Sequence, residues 1–244
     1  MNARRRLRRV LVLCGVLILA AVPLLAVAAW PRMPAPEPGD RRELVVLVHG
    51  MGRTKLSMRP LARALEREGY RVLNWGYSST ADSIPALADA LSRAVARGTG
   101  AAPRVHFVGH SLGNILVRRA LAERPLPRAG RVVMLAPPNQ GAASAGEAAP
   151  YLAWLLPPLR ELDPERGTVR AIPTPRAVEI GVVAGEKDGK VSVEETHLAG
   201  ERDHVVVPAA HSFIMGRRDV QALVVRFLRD GSFGPSPRRP HPPS

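Results

Sequence analysis

The feature that most constrains this chain is the alternation of short, continuous apolar runs with longer segments of helical periodicity. The first run, Glu43–His49 (ELVVLVH), is of the kind expected for a strand buried on both faces of a parallel sheet. Repetition of the strand and helix signals implies an α/β fold with a doubly wound, mostly parallel sheet of about six strands. The predicted strands are Glu43–His49, Arg71–Trp75, Val105–Gly109, Arg131–Leu135, Glu179–Ala184 and His204–Val207, and the predicted helices are Met58–Glu68, Ser83–Arg97, Gly113–Glu123 and Asp219–Arg229.

The alternation is interrupted between residues 141 and 176, where the sequence contains prolines, the apolar segment Tyr151–Leu156 and no strand candidate. A structureless connection of this length is uncommon in a compact domain. Two interpretations remain open, an inserted helical cap or lid and an ordinary crossover helix with long flanks. At the ends of the predicted helices, Ser57 and Ser83 are the candidate N-cap residues.

The first thirty residues indicate a targeting segment. Val10 to Trp30 contains no charged residue, and as a helix it would span about 31 Å, the thickness of a hydrocarbon core. Five arginines precede it and predict a cytoplasmic N-terminus, with the rest of the chain outside. Ala26-Val27-Ala28 also fits a signal-peptidase site, so a cleaved signal peptide, giving a secreted or periplasmic protein, is the alternative to a single-pass anchor. The length of the apolar stretch favours the anchor.

The remaining boundaries follow from composition. A Pro-rich linker is predicted for residues 31–42, the folded α/β domain for 43–234, and a disordered tail for 235–244. The net charge of +14, from 35 Lys+Arg and 21 Asp+Glu, is concentrated partly in the N-terminal arginines, and no basic run is interleaved with aromatic residues. This distribution argues against a nucleic-acid partner. The single cysteine, Cys14, excludes an intrachain disulfide and a Cys-cluster metal site.

The segment Gly109-His110-Ser111-Leu112-Gly113 fits the pattern G-x-S-x-G and lies between a predicted strand and a predicted helix. At such a position a sharp turn holds the serine in a strained backbone conformation, and the glycines let strand and helix approach closely. Ser111 is therefore predicted to be a nucleophile above the carboxyl ends of the strands, where open α/β sheets bind ligands. The alternative is a glycine-rich turn without catalysis.

A serine nucleophile requires donors aimed at the oxyanion of a tetrahedral intermediate. The turn His49-Gly50-Met51-Gly52 follows the first strand, and it supplies the backbone N–H of Met51. The second expected donor is the N–H of Leu112, the residue after the nucleophile. His49 is interpreted as a brace of this turn rather than as a base.

Two further candidate catalytic residues lie in the loops that follow the last two predicted strands. Asp188 follows the strand Glu179–Ala184, and His211 follows the strand His204–Val207. Both residues are expected at the same sheet edge as Ser111, in the chain order Ser, Asp, His. His211 is predicted to be the base and Asp188 the acid that orients it. The rival acids are Asp203, placed about 13 Å away at the opposite edge, and the more weakly indicated Glu186 and Glu194.

The other histidines receive structural interpretations. His106 is predicted to be packed inside a strand, and His110 is a candidate for lining the pocket beside Ser111. His197, His204 and His241 show no evident ligand pairing with a carboxylate or a cysteine. No metal site and no cofactor are therefore predicted.

These segments, HGMGR, GHSLGN, APPNQG, DGKVSVE and PAAHSFIM, resemble those of the bacterial lipase and esterase branch of the α/β-hydrolase superfamily. The resemblance extends from about Leu44 to Phe233. It implies serine hydrolysis of carboxylic esters through Ser111, Asp188 and His211, with Met51 and Leu112 as oxyanion donors. The segment before the first strand is short, so a compact version of the fold is expected, with a short lid region.

The prediction from the sequence is an exported, membrane-anchored serine esterase or lipase that forms an acyl-enzyme and acts on acyl-ester or lipid substrates. Two alternatives remain. The same three residues can cleave amides or thioesters, and the fold can serve as a non-catalytic envelope scaffold. The sequence does not indicate the oligomeric state.

Overall fold

The computed structural model describes residues 42–176 and 178–234, and this part of the chain contains a six-stranded sheet in which every strand pair is parallel. The order across the sheet is β2-β1-β3-β4-β5-β6. The predicted α/β class and sheet are therefore confirmed. The strands are β1 Leu44–Val48, β2 Arg71–Trp75, β3 Val105–His110, β4 Ala129–Leu135, β5 Ile180–Gly185 and β6 Asp203–Val207.

Helices connect the strands on both faces of this sheet. They are α1 Arg59–Arg67, α2 Ile84–Gly98, α3 Leu112–Glu123, α4 Ala143–Leu152, α5 Pro158–Leu162, α6 Val193–Thr196 and α7 Arg218–Asp230, with 3₁₀ turns at Lys55–Met58, Val169–Ala171 and His211–Gly216. The four predicted helices are present as α1, α2, α3 and α7.

One predicted helix start is wrong. Ser57 does not cap α1, because the chain first forms a 3₁₀ turn that Thr54 caps by accepting a hydrogen bond from the Leu56 N–H at 3.4 Å. The Ser57 hydroxyl instead donates to the Thr54 carbonyl at 2.8 Å. The prediction for Ser83 is confirmed, since its side chain accepts a hydrogen bond from the Ala86 N–H.

The continuous apolar character of β1 has a direct structural cause. Leu44, Val46 and Val48 face the layer formed by α2 and α3, whereas Val45 and Leu47 face the layer formed by α1 and α7. All five strand residues are buried. A strand covered on both faces has no solvent side on which polar residues would alternate.

The segment between β4 and β5 is helical, with α4 and α5 followed by a 3₁₀ turn. It is attached to α2, because the Ile84 N–H donates to Glu161 Oε1 at 2.7 Å. Leu159 and Leu162 join the core beneath it, while Tyr151 and Trp154 are 75% and 76% exposed. The segment therefore combines a packed base with an apolar outer surface, and its identity as a cap or lid remains a prediction.

The predicted membrane span, Val10–Trp30, and the predicted tail, 235–244, lie outside the described residues. Among the helices between residues 42 and 234, none has the length and apolar character needed to cross a membrane.

Candidate active site

Ser111 lies in the tight turn between β3 and α3. Its backbone angles are φ 52° and ψ −125°, in a region that residues with a side chain rarely adopt and that costs on the order of 1–3 kcal/mol. The turn is fixed on both sides, since the Ser111 N–H donates to the Leu135 carbonyl at 3.0 Å and Asn114 Nδ2 donates to the same carbonyl at 2.9 Å. The sequence prediction of a strained serine at this turn agrees with this geometry.

Two glycines make the turn possible by allowing close backbone contacts. A Cβ atom on Gly109 would lie 2.3 Å from Asn114 Oδ1, and one on Gly113 would lie 2.2 Å from the Val48 carbonyl oxygen. Neither distance is compatible with a side chain. Consequently α3 begins directly against the end of β1, and the turn that follows β1 is brought beside Ser111.

His211 is the first residue of the 3₁₀ turn after β6, and its imidazole lies between two of the other predicted site residues. Its Nε2 is 3.0 Å from Ser111 Oγ, and its Nδ1 is 2.6 Å from Asp188 Oδ2. Since a carboxylate oxygen can only accept, Nδ1 carries a hydrogen and Nε2 accepts from the serine hydroxyl when the ring is neutral. The ring is thus oriented to remove the proton of Ser111.

Asp188 is held in the loop after β5 by hydrogen bonds to its other oxygen. Oδ1 accepts from the N–H groups of Lys190 at 2.8 Å and Val191 at 3.0 Å. Burial raises the pKa of Asp188, but the hydrogen bond and charge of His211 and the two N–H donors outweigh it, so its pKa lies below the ordinary value. The carboxylate is therefore ionised at neutral pH and its side chain has no exposed surface.

Backbone contacts join the loops that carry these two side chains. Lys187 N–H donates to the Ala209 carbonyl at 3.1 Å, and Glu186 N–H donates to the Val207 carbonyl at 2.8 Å. A Cβ atom on Gly185 would lie 2.6 Å from the Ala209 oxygen. The distance between Asp188 and His211 is therefore set by main-chain contacts between neighbouring strand ends.

The two predicted oxyanion donors flank the serine. Leu112 is the first residue of α3, where helix N–H groups have no acceptor within the helix. Met51 is in the turn after β1, and the preceding Gly50 is so close that a Cβ there would be 3.0 Å from Ser111 Cβ. The structure thus brings both segments to Ser111, and the role of the two N–H groups remains a prediction.

The rival acids are engaged elsewhere. Asp203 accepts hydrogen bonds from the Phe233 N–H at 2.7 Å and from the His204 N–H at 2.9 Å, at the amino end of β6. Glu186 and Glu194 are exposed. Of the acids considered, Asp188 is the one that the structure brings to His211.

His49 and His110 are buried histidines next to the site. His49 Nδ1 donates to the Gly50 carbonyl at 3.0 Å, its own carbonyl accepts from the Tyr77 hydroxyl at 2.7 Å, and burial lowers its pKa to about 4. His49 therefore braces the turn after β1, as predicted.

The expectation that His110 lines a pocket is wrong, because its ring is 1% exposed and points into the protein. Its Nε2 donates to the His211 carbonyl at 2.9 Å, and burial together with the charge of His211 lowers its pKa to about 3. The neutral ring of His110 therefore supports the backbone of the predicted base. The contact joins residues 101 positions apart, so no local sequence pattern indicated it.

The reason given for excluding a metal at His197 and His204 is also wrong. Both imidazoles contact the carboxylate of Glu201, which lies between them in the sequence. The spacing His-x₃-Glu-x₂-His was the available signal. A turn closed by the hydrogen bond from the Glu201 N–H to the Leu198 carbonyl brings the two ends of this segment together, and the local pattern does not indicate that turn.

The sequence and the fold are similar to those of known proteins. A model of the alpha/beta hydrolase family matches residues 45–213, whereas no curated protein matches the sequence. Among solved structures, the mature form of a Bacillus licheniformis lipase is 16% identical, with a TM-score of 0.59 over 80% of this chain and 96% of that one. A Pyrococcus furiosus esterase is 20% identical, with a TM-score of 0.57 over 78% and 82%.

Larger proteins share the same core. The propeptide form of the Bacillus licheniformis lipase is 18% identical with a TM-score of 0.61, and the match covers 75% of this chain but only 50% of that one. A Legionella pneumophila phospholipase is 20% identical with a TM-score of 0.56, covering 64% and 45%. At these identities the structural matches establish the fold alone. Together with the family model, which covers more than half of the sequence, they show that this chain belongs to the alpha/beta hydrolase family.

Proposed function

We propose that this protein is a serine hydrolase that cleaves carboxylic esters, with Ser111 as nucleophile, His211 as base and Asp188 as the acid that orients it. The observation that carries the proposal is the hydrogen-bonded series from Ser111 Oγ through the His211 ring to Asp188, with distances of 3.0 and 2.6 Å. The fold is also found in structures described as lipases and esterases, which supports esters as the substrate class.

The proposed reaction has two stages. Ser111 Oγ attacks the ester carbonyl carbon while its proton moves to His211 Nε2, and the resulting oxyanion is bound by the N–H groups of Met51 and Leu112. The carbon–oxygen bond to the alcohol then breaks, and the alcohol leaves with the proton from His211. Water attacks the acyl-enzyme in the same manner, giving the carboxylic acid and the free serine.

The direct test is the variant Ser111→Ala with p-nitrophenyl acyl esters. We expect loss of about 10³-fold or more in kcat with an unchanged circular dichroism spectrum, because the hydroxyl is removed and the fold is not. A fluorophosphonate probe should label the wild-type protein at Ser111. Ester hydrolysis retained by the variant would overturn the proposal, and a folded wild-type protein that is not labelled would favour the scaffold alternative.

We further propose that the substrate is a lipid or another long-chain acyl ester. Large apolar side chains are exposed on the insertion, at Tyr151, Trp154 and Leu155, and Phe213 is 73% exposed two residues after His211. Exposed aromatic and aliphatic side chains of this size favour contact with an apolar ligand or an interface.

A chain-length series of p-nitrophenyl esters tests this substrate class. We expect kcat/KM to be higher for long acyl chains than for butyrate, and Trp154→Ser to reduce the long-chain value selectively. Val206→Thr is a matched control, since Val206 is also an exposed apolar residue (42%), on strand β6. A preference for acetate or butyrate would contradict the lipid assignment.

The proposed location is the extracytoplasmic side of a membrane, with the predicted span Val10–Trp30 as the anchor. This part of the proposal is supported by the sequence, in which five arginines precede an uncharged stretch long enough to cross a bilayer. N-terminal sequencing of the protein from a membrane fraction should find Met1 or Asn2. A mature chain that begins after Ala28 would show that the segment is a cleaved signal peptide.

A further inference from the structure

A cluster of two imidazoles and one carboxylate lies between α6 and β6. His197 follows α6, Glu201 is in the connecting turn, and His204 is the second residue of β6. His197 Nδ1 and His204 Nδ1 are each 2.9 Å from the same oxygen, Glu201 Oε1, and the ring centroids are 4.1 Å apart. The ligand atoms of the three residues lie within 4.8 Å of one another. Three metal-binding groups therefore converge on one point.

One oxygen of the Glu201 carboxylate binds the main chain, and the other faces the two imidazoles. Glu201 Oε2 accepts a hydrogen bond from the Leu198 N–H at 2.9 Å, so Oε1 is directed toward the two rings. Both imidazoles donate an Nδ1 hydrogen to Oε1, and a bound metal ion would take the place of these two hydrogens.

The second nitrogen of His204 also has a suitable partner. His204 Nε2 is 3.4 Å from Thr196 Oγ1, and that hydroxyl lies 2.5 Å from the Val193 carbonyl, to which it can only donate. Thr196 Oγ1 is thus available to accept from a hydrogen on Nε2. This is the tautomer that an imidazole adopts when Nδ1 binds a metal, and such outer hydrogen bonds orient metal-binding histidines.

We propose that His197, Glu201 and His204 form a binding site for Zn²⁺ or a chemically similar divalent ion. The ligand atoms are Nδ1 of each histidine and Oε1 of Glu201. Ligands at 2.0–2.1 Å from a tetrahedral zinc are about 3.3 Å apart, so the present distances of 2.9 Å need to open by only about 0.4 Å. The side chain of His197 is 58% exposed, so the cluster can be reached from solvent.

The donor set determines the class of ion. Imidazole nitrogens combined with one carboxylate suit zinc, copper and nickel, whereas Mg²⁺ and Ca²⁺ prefer sites built from oxygen atoms. Zinc is the ion that we assign, because three protein ligands and one open position match its usual four-coordinate geometry.

The location of the cluster indicates a structural role. His204 is near the amino end of β6, whereas His211 follows the carboxyl end, and the part of the strand from His204 to Val207 spans about 10 Å. The surrounding main chain is tied to the start of the insertion, since Gln140 Nε2 donates to the His197 carbonyl and Asn139 Nδ2 donates to the Thr196 carbonyl. A bound ion would fasten the connection between α6 and β6, and the inference does not depend on the proposed ester hydrolysis.

The test uses the full-length chain prepared without a histidine tag and stripped of metal with EDTA. Competition with a chromogenic zinc indicator should show one Zn²⁺ bound per chain. The variants His197→Ala and Glu201→Gln should each weaken binding by at least about tenfold. Glu201→Gln keeps the size and shape of the side chain, and His197 is exposed, so both variants are expected to fold. Excess zinc should raise the Tm of the wild-type protein by about 5 °C and of the variants by much less.

His241→Ala is the matched control, because it removes a histidine that is not part of the cluster. This variant should bind zinc like the wild type. Excess Mg²⁺ should leave the Tm of every variant unchanged. The proposal is overturned if the wild-type chain shows no saturable zinc binding. It is equally overturned if His197→Ala and Glu201→Gln bind one zinc with unchanged affinity.

Discussion

Ser111 and His211 are positioned by contacts that restrict each of them to one arrangement. Ser111 retains an unfavourable φ of 52° because its N–H and the side chain of Asn114 both bind the Leu135 carbonyl. His211 is held at Nδ1 by Asp188 and at its carbonyl by His110. The strain and the two anchors together orient Ser111 Oγ toward His211 Nε2, so pre-organisation rather than a rearrangement supplies the geometry.

Asp188→Asn is expected to lower kcat for ester hydrolysis by about 10³–10⁴-fold. The N–H groups of Lys190 and Val191 require an oxygen at the Oδ1 position, so the new amide group must direct its NH₂ toward His211. Nδ1 then has to accept, the hydrogen moves to Nε2, and the ring cannot take the proton of Ser111. Steady-state kinetics with a p-nitrophenyl ester measure the effect.

Asp203→Asn is the control for this variant, because Asp203 binds the N–H groups of Phe233 and His204 at the other end of β6. Its kcat should remain within about threefold of the wild-type value. Equal losses in the two variants would contradict the assignment of Asp188 as the acid.

At the scale of elements, the site depends on how closely α3 approaches β1. The helix begins at Leu112, and its second residue, Gly113, lies against the carbonyl groups of Val48 and His49. This contact brings the turn after β1, with its predicted oxyanion donor, to the start of α3. The same approach places the N-terminus of α3 at the sheet edge where the loops of Asp188 and His211 also meet.

Gly113→Ala should destabilise the protein by about 1–3 kcal/mol, because the new methyl group would lie 2.2 Å from the Val48 oxygen and 2.7 Å from the His49 oxygen. Either α3 or β1 must shift, so activity should fall as well. Urea unfolding and ester kinetics measure the two effects. In Gly216→Ala the added methyl group meets no atom within 4 Å, so its stability should change by less than about 0.5 kcal/mol. A stable, fully active Gly113→Ala variant would contradict the close contact.

For the whole molecule, the buried histidines make folding sensitive to acid. His49 and His110 have pKa values of about 4 and about 3 in the folded chain, against 6.5 when they are accessible to water. Burial is the main cause for both. For His110, the charges of His211 and Arg53 lower the pKa further, while the hydrogen bond to His211 and the charge of Asp188 oppose the shift.

The free energy of unfolding is expected to fall by about 3–4 kcal/mol between pH 7 and pH 5. In this interval the unfolded chain binds protons at both positions and the folded chain does not, so stability decreases as the pH falls below 6.5. Urea unfolding at the two pH values measures the difference. His110→Gln should remove about half of the pH dependence, and a wild-type stability that is equal at both pH values would contradict the prediction.

Features that arise from local pattern were predictable from the amino-acid sequence. Continuous apolar runs such as that of β1 indicated strands covered on both faces, and the alternation of strands and helices indicated a parallel sheet. The G-x-S-x-G segment placed Ser111 between a strand and a helix, because only glycine permits the close contacts at that turn. The order of Asp188 and His211 after successive strands then indicated that both lie at one sheet edge.

Contacts that depend on the relative positions of separate segments became evident only in the folded chain. The 2.6 Å contact between Asp188 and His211 depended on the main-chain hydrogen bonds that join the loops after β5 and β6. The inward orientation of His110 depended on the His211 carbonyl, and the convergence of His197 and His204 on Glu201 depended on the bend before β6. Hydrogen-bond partners are selected by distances of a few tenths of an ångström, and packing sets those distances whereas local sequence pattern does not.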